Sequence, residues 1–155
     1  SKQQNKQKGN NMSKQQQMQD ILKDTVDYYR EDPVNRRSVD KDGNCKYTWG
    51  NQHCAVGRYL KSEYQKENWI ENDMSVYELS EYSDDNSIDQ FLVDKAHGLD
   101  LQFWRDLQDI HDIVGYWEEF DEHEDGRRKY GLTDRGKEVY VAMQDKISRG
   151  EVYDD

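Results

Sequence analysis

The segment LDLQFWRDLQDIHDIVGYW, Leu99–Trp117, sets the fold class. Phe103, Leu107, Ile110, Val114 and Trp117 follow at spacings of four, three, four and three, the period of one helical face. Leu101 and Trp104 widen the stripe. The spacing predicts a helix from Leu99 to about Trp117, starting after the break at Gly98, with Gly115 as an early stop signal.

Helical spacing recurs on both sides. Upstream, Met18, Leu22, Thr25 and Tyr29, with Ile21 and Val26 beside them, predict a helix from Ser13 to about Arg30, which Pro33 ends. Downstream, the acidic run and Gly126 read as a loop. Thr133 is placed to cap a last helix whose apolar face is Val139, Tyr140, Met143 and Ile147, with Gly150 as its stop. Between the first two helices, Asp42-Gly43 and Gly50-Asn51 mark turns. Lys61–Asn68 and Val76–Glu81 read as short helices, and Ile88–Val93 fits helix or strand equally. The fold class expected is mostly α (α+β): a small helical domain with one short β-hairpin and a disordered or extended N-terminal arm.

That arm is residues 1–17, a Gln-, Asn-, Lys- and Ser-rich stretch with almost nothing to bury. Ser1-Lys2-Gln3-Gln4 recurs as Ser13-Lys14-Gln15-Gln16, with Met12 before the second copy, which fits a short duplication or an internal start. The organisation expected is an arm over 1–17, one acidic domain over 18–150 and a tail over 151–155. In 155 residues the apolar fraction is only 33%, so eleven Tyr, four Trp and three Phe must carry much of the core. No run approaches the roughly 20 apolar residues of a membrane span. The N-terminal residues contain no apolar h-region of a secretory signal. Two cysteines do not make a disulfide scaffold, and a reducing cytoplasm is the expected compartment.

Charge is unevenly spread. The formal net charge is −11, yet residues 1–19 carry Lys2, Lys6, Lys8 and Lys14 and no acid. Between Lys66 and Lys95 there is no Lys or Arg, while Glu67, Glu71, Asp73, Glu78, Glu81, Asp84, Asp85, Asp89 and Asp94 fall there. A second acidic run holds Glu118, Glu119, Asp121, Glu122, Glu124 and Asp125. Such a body repels a phosphate backbone and suits a basic protein, or imitates nucleic acid. The plain alternative is a solvated, solubilising surface.

Residues 45–60 hold both cysteines. A two-residue hairpin with Gly50-Asn51 at its tip would set Trp49 against Gln52, Tyr47 against Cys54 and Cys45 against Val56, all on one side of the ribbon. Cys45 and Cys54 are then diagonal neighbours at roughly 7–8 Å, beyond easy disulfide reach, and both thiols serve as small hydrophobes beside Tyr47 and Val56. A nucleophile reading would place Cys54 at a helix start, with His111 as base and Asp112 to orient it. A zinc reading would need two further ligands from His53, His97, His111 or His123, and the spacing matches no compact finger. No metal and no cofactor are expected.

Cys45-x-Tyr47, then Cys54-Ala55-Val56-Gly57-x-x-Leu60, then Leu107-Gln108-x-Ile110-His111-Asp112 with Trp117 shortly after, resembles a family of small uncharacterised proteins of tailed phages and bacterial genomes. Its pattern is a C-A-Y stretch, a C-A-I-G or C-A-V-G stretch and an L-Q-x-I-H-D helix, matched over about residues 20–120. The chain departs from it in carrying Lys61-Ser62-Glu63 where Pro-Asp usually follows, and the arm and last helix lie outside it. The resemblance implies a phage setting, in the host-cell cytoplasm or the virion. It groups Cys45, Tyr47, Cys54, Gly57, Leu107, Ile110 and Trp117 as motif or core positions, and Cys54, His111 and Asp112 as a candidate catalytic set.

Asp125–Gly136 is also similar to the wing and final helix of winged-helix regulators, with Arg127, Arg128 and Lys129 as phosphate contacts. The preceding helix, which would read the groove, is acidic there and argues against nucleic acid. The expected activity is non-enzymatic binding of a protein with a basic surface, in host takeover, counter-defence or as a minor virion component. Glu71, Asp73, Glu78, Glu81, Asp84, Asp85, Glu118, Glu119, Asp121 and Glu122 form the expected contact face. The alternatives are a cysteine hydrolase or transferase using Cys54 and His111, and a winged-helix-like DNA-binding protein. No membrane association is expected.

Overall fold

The computed structural model describes residues 2–112, 114–120 and 129–150, with side chains described for 14–110, 115–119 and 130–150. The chain is mainly helical, with two short antiparallel hairpins among the described residues: α1 Lys2–Glu31, β1 Thr48–Trp49, β2 Gln52–His53, α2 Val76–Ser80, α3 Leu101–Asp112, β3 Trp117–Phe120, β4 Lys129–Leu132 and α4 Asp134–Arg149. The α+β class expected from the sequence is the class observed, with a second hairpin added.

α1 starts well before the expected Ser13, so the polar arm continues the helix backbone. Its buried face is the expected one: Met18, Ile21, Leu22, Thr25, Val26 and Tyr29. The Thr25 hydroxyl returns its hydrogen bond to the Ile21 carbonyl at 2.7 Å, so this buried polar side chain needs no outside partner. The helix stops at Glu31 because Pro33 disfavours helical backbone in the residue before it. α1 packs on α3, α4 and β4. Polar ties reinforce this packing. Gln19 donates to the Gln144 carbonyl of α4 at 3.2 Å, and Gln17 to the Lys95 and His97 carbonyls at 2.6 and 3.0 Å.

α3 keeps the predicted stripe, with Phe103, Trp104, Leu107 and Ile110 buried, but it ends at Asp112 rather than near Trp117. Trp117 is buried from strand β3 instead, and its indole N–H donates to the Ile110 carbonyl at 3.0 Å. The reason is non-local. The Thr133 hydroxyl donates to the Gly115 carbonyl and its amide to the Tyr116 carbonyl, both at 2.8 Å. β3 then pairs with β4, Trp117 opposite Leu132 and Phe120 opposite Lys129. Thr133 caps α4 as expected, accepting from the Gly136 amide at 3.1 Å, and Gly150 ends it with φ +67°. A Cβ on Gly136 would lie 2.4 Å from the Tyr116 carbonyl oxygen, so only glycine allows this approach.

The predicted segment Lys61–Asn68 contains only a 3-10 turn at Ser62–Tyr64, and the ambiguous Ile88–Val93 contains one at Asp89–Phe91. α2 lies where expected and opens with a reciprocal capping box between Ser75 and Glu78. Leu60 and Leu92 meet in an isolated bridge that draws the two ends of this region together. No helix among the described residues is long and apolar enough to cross a membrane.

Candidate functional site

The hairpin over the cysteine motif forms at the predicted tip and register: Trp49 pairs with Gln52 and Thr48 with His53. Gly50 takes φ +61°, the left-handed region that the first position of such a tight turn favours. The Cys54 amide still donates to the Tyr47 carbonyl at 3.1 Å, but the ladder ends there. The Tyr47 amide is taken by the Asn72 carbonyl at 2.9 Å, and the Cys54 carbonyl by the Arg58 amide at 3.1 Å. The predicted Cys45–Val56 pairing is therefore not formed. Cys45 bridges Val39 and is exposed, which corrects its assignment to the core.

Cys54 is buried, 2% exposed. Its Sγ accepts from the Gly57 amide and from Gln108 Nε2, each at 3.2 Å, and Gln108 Oε1 accepts from the Val56 amide at 3.0 Å. Gln108 thus locks the Cys-Ala-Val-Gly turn to α3, and Cys54 caps that turn much as a serine caps a helix. Gly57 is required by contact: a Cβ there would lie 2.1 Å from the Tyr47 carbonyl oxygen. Leu107 and Ile110 are buried in the same core. His111 and Asp112 close α3, but their side chains lie outside the described residues. Among the described residues, no group of three or more His, Cys, Asp or Glu is placed to hold a metal ion.

Asn72 pins the next segment to the hairpin. Its side chain accepts from the Thr48 amide and donates to the Thr48 carbonyl, both at 2.9 Å. Behind it runs an aromatic chain. Tyr47 meets Trp69 at 5.9 Å between ring centroids, Trp69 meets Phe91 at 5.5 Å, Tyr64 sits against both, and Phe91 meets Tyr82 at 6.2 Å. The chain starts at a buried tyrosine and ends at Tyr82, which is 55% exposed. The acidic segment thus rests on a stiff aromatic base.

Glu78, Glu81, Asp84, Asp85 and Asp73 are exposed and Glu71 is half-buried. Asp73 faces Lys46 at 3.7 Å, Asp85 accepts from the Ser83 hydroxyl, and Glu67 accepts from the Gly50 amide at 2.5 Å. The carboxylates of Glu71, Glu81 and Asp84 have no partner among the described residues. Three large apolar side chains stand exposed among these acids: Ile70, 84% exposed, with Tyr77 and Tyr82. Charge patterning does not reveal them; their signal in the sequence is an apolar residue that fits no buried stripe. Glu118 and Glu119 are exposed on β3. Asp121, Glu122, Arg127 and Arg128 lie outside the described residues, as does the Lys129 side chain.

A cleft of ≈ 450 Å³ borders this face. Its walls are residues 45–47, residues 72–78 and, from α3, Arg105, Gln108 and Asp109. The Tyr47 hydroxyl is buried with no hydrogen-bond partner among the described residues. Burial, then the neighbouring Cys54 and Glu78, push it well above the usual phenol range, so it stays a neutral hydroxyl at physiological pH.

No family model, curated protein or solved structure matches the chain.

Proposed function

We propose that this chain is a non-enzymatic binding protein that presents its 67–94 face to a basic protein partner. The observation that carries the reading is the composition of that face. It combines carboxylates, an absence of Lys and Arg, and exposed Ile70, Tyr77 and Tyr82, the last held by the aromatic chain beneath it. Tyrosines fixed in place are favoured anchors at protein interfaces, because little conformational freedom is lost when they are covered. The surrounding carboxylates steer a basic partner and reject nucleic acid, whose phosphates they repel. Glu118 and Glu119 form a second acidic patch on β3, with Asp121 and Glu122 next to them in sequence. The lysines of the first helical turns provide a tether of opposite sign.

The motif order supports a phage setting, in the host-cell cytoplasm or the virion. There the chain serves as a host-takeover or counter-defence factor, or as a minor virion-associated component. The test is a tagged pull-down from infected bacterial cells, nuclease-treated and read by mass spectrometry. One stoichiometric protein partner is the expected result; a host enzyme would indicate inhibition and a capsid or tail protein a virion role. Capture of nothing above the tag control would overturn the reading.

A further inference from the structure

We propose that the chain associates with itself, the lysine-bearing start of α1 in one copy lying on the acidic patch around Ile70 and Tyr82 of a second copy. The inference goes beyond the partner reading: it uses the same face but needs no other protein. The patch is built on Phe91. That ring meets Trp69, the residue before Ile70, at 5.5 Å and Tyr82 at 6.2 Å, so both exposed apolar side chains rise from one aromatic base. The acids nearest in sequence are Glu71, beside Ile70, and Glu81, Asp84 and Asp85, around Tyr82. The last three are exposed, and the carboxylates of Glu71, Glu81 and Asp84 have no partner among the described residues. Such a patch suits cations on long aliphatic stems: the stem covers the apolar side chain while the ammonium meets a carboxylate or the Tyr82 ring.

The chain itself carries the complementary segment. Residues 1–19 hold Lys2, Lys6, Lys8 and Lys14 and no acid, in a chain of net charge −11. These lysines fall in the first half of one unbroken helix, Lys2–Glu31. α1 meets the 95–98 segment at Gln17, which donates to the Lys95 and His97 carbonyls, and at Lys14, whose Cε would lie 3.8 Å from a Cβ on Gly98. From Lys14 back to its start the helix runs on for roughly 18 Å, at about 1.5 Å per residue. An unbroken helix cannot fold back to seek its own patch, whereas a second copy meets it without bending. Salt separates this contact from its rival. Two bodies of net negative charge repel, so association through Ile70 and Tyr82 alone would strengthen as salt screens that repulsion. A lysine-to-carboxylate contact weakens instead.

The experiment is sedimentation equilibrium of the full chain at about 0.05 M and about 0.5 M salt, where charges are screened over roughly 14 Å and roughly 4 Å. It is paired with zero-length carbodiimide cross-linking of mixed isotope-labelled and unlabelled chains, read by mass spectrometry. The expected result is association at low salt that is lost at high salt, with mixed-isotope links from the α1 lysines to Glu71, Glu81, Asp84 or Asp85. Lys2→Glu/Lys6→Glu/Lys8→Glu should weaken association at least about ten-fold, as should Glu81→Lys/Asp84→Lys, because several exposed ion pairs of ordinary strength multiply to that factor. Mixing the two variants should restore association, which a folding defect in either would not allow, and thermal melts check that both fold. A monomer at both salt concentrations, association strengthened by salt, links confined to single copies, or no restoration on mixing would overturn the proposal. A monomer whose partner capture is still lost on substituting Ile70, Tyr82 and Asp84 would remove the self-association and leave the binding reading standing. Salt-sensitive association by a chain that captures no other protein would do the reverse.

Discussion

Gly57→Ala is the sharpest test of how the cysteine motif is built. The added Cβ would lie 2.1 Å from the Tyr47 carbonyl oxygen and 2.9 Å from its carbonyl carbon, with Cys54 Sγ at 3.3 Å. Two of those three atoms are backbone, so a rotamer change cannot relieve the contact. The Tyr47 backbone or the 54–57 turn must move. Movement breaks the Cys54 amide's bond to that same carbonyl, and the two bonds to Cys54 Sγ weaken with it. Overpacking of this kind costs about 1–3 kcal/mol and each lost hydrogen bond about 1 kcal/mol, which together make about 3–4 kcal/mol. In a domain of this size the melting temperature would fall by roughly 10 °C. The assay is urea unfolding followed by tryptophan fluorescence, with Gly115→Ala as control, since nothing lies within 4 Å of a Cβ at Gly115. A Gly57→Ala loss below about 1 kcal/mol, or one no larger than that of Gly115→Ala, would refute the reasoning.

Three further outcomes follow from the same geometry. A thiol reagent should titrate one cysteine rapidly in the native protein, exposed Cys45, and the second, buried Cys54, only on denaturation; fast native modification of both would show that Cys54 is accessible and revive the nucleophile reading. Asn72→Ala should destabilise by about 3 kcal/mol in chemical denaturation, because it strands the buried amide and carbonyl of Thr48 together; a loss under about 1 kcal/mol would show that the segment is not pinned there. Burial, then Arg58, holds His53 below its usual 6.5, so the unfolded chain binds the proton first and stability should fall as pH drops from about 6.5 towards that lower value. His53→Gln should flatten stability over that window, and an unchanged slope would assign it to other groups.

The parts legible in the sequence are those decided within a turn or two of chain. Thr133 and Gly150 bracket α4 because capping is local chemistry. The Met18–Tyr29 stripe and Pro33 locate the buried part of α1 and its end. Gly50-Asn51 locates the hairpin tip and its register. What misled were patterns that a distant residue finishes. Trp117 satisfies the helical period, yet it is buried from a strand, because Thr133 holds the two preceding carbonyls and Gly136 leaves room for the close approach. Cys45 satisfies the hairpin alternation, yet Asn72, 25 residues beyond Tyr47, takes the amide that would continue the ladder. The candidate site shares this division. Its charge is plain from the absence of Lys and Arg over 67–94. Its exposed Ile70 and Tyr82, its aromatic base and the cleft beside Tyr47 depend on contacts between segments that no local spacing encodes.

The central claim is that the acidic, tyrosine-bearing face binds protein. It is tested most directly by parallel capture from infected cells with three tagged chains: the unmodified protein, an Ile70→Ser/Tyr82→Ser/Asp84→Asn variant, and a Val34→Ser/Val141→Ser control that alters exposed apolar residues elsewhere. All three should melt alike, since none of the substituted side chains is buried. The account predicts one stoichiometric partner with the unmodified protein and the control, and at least a ten-fold loss with the face variant. Equal capture by all three chains would contradict it.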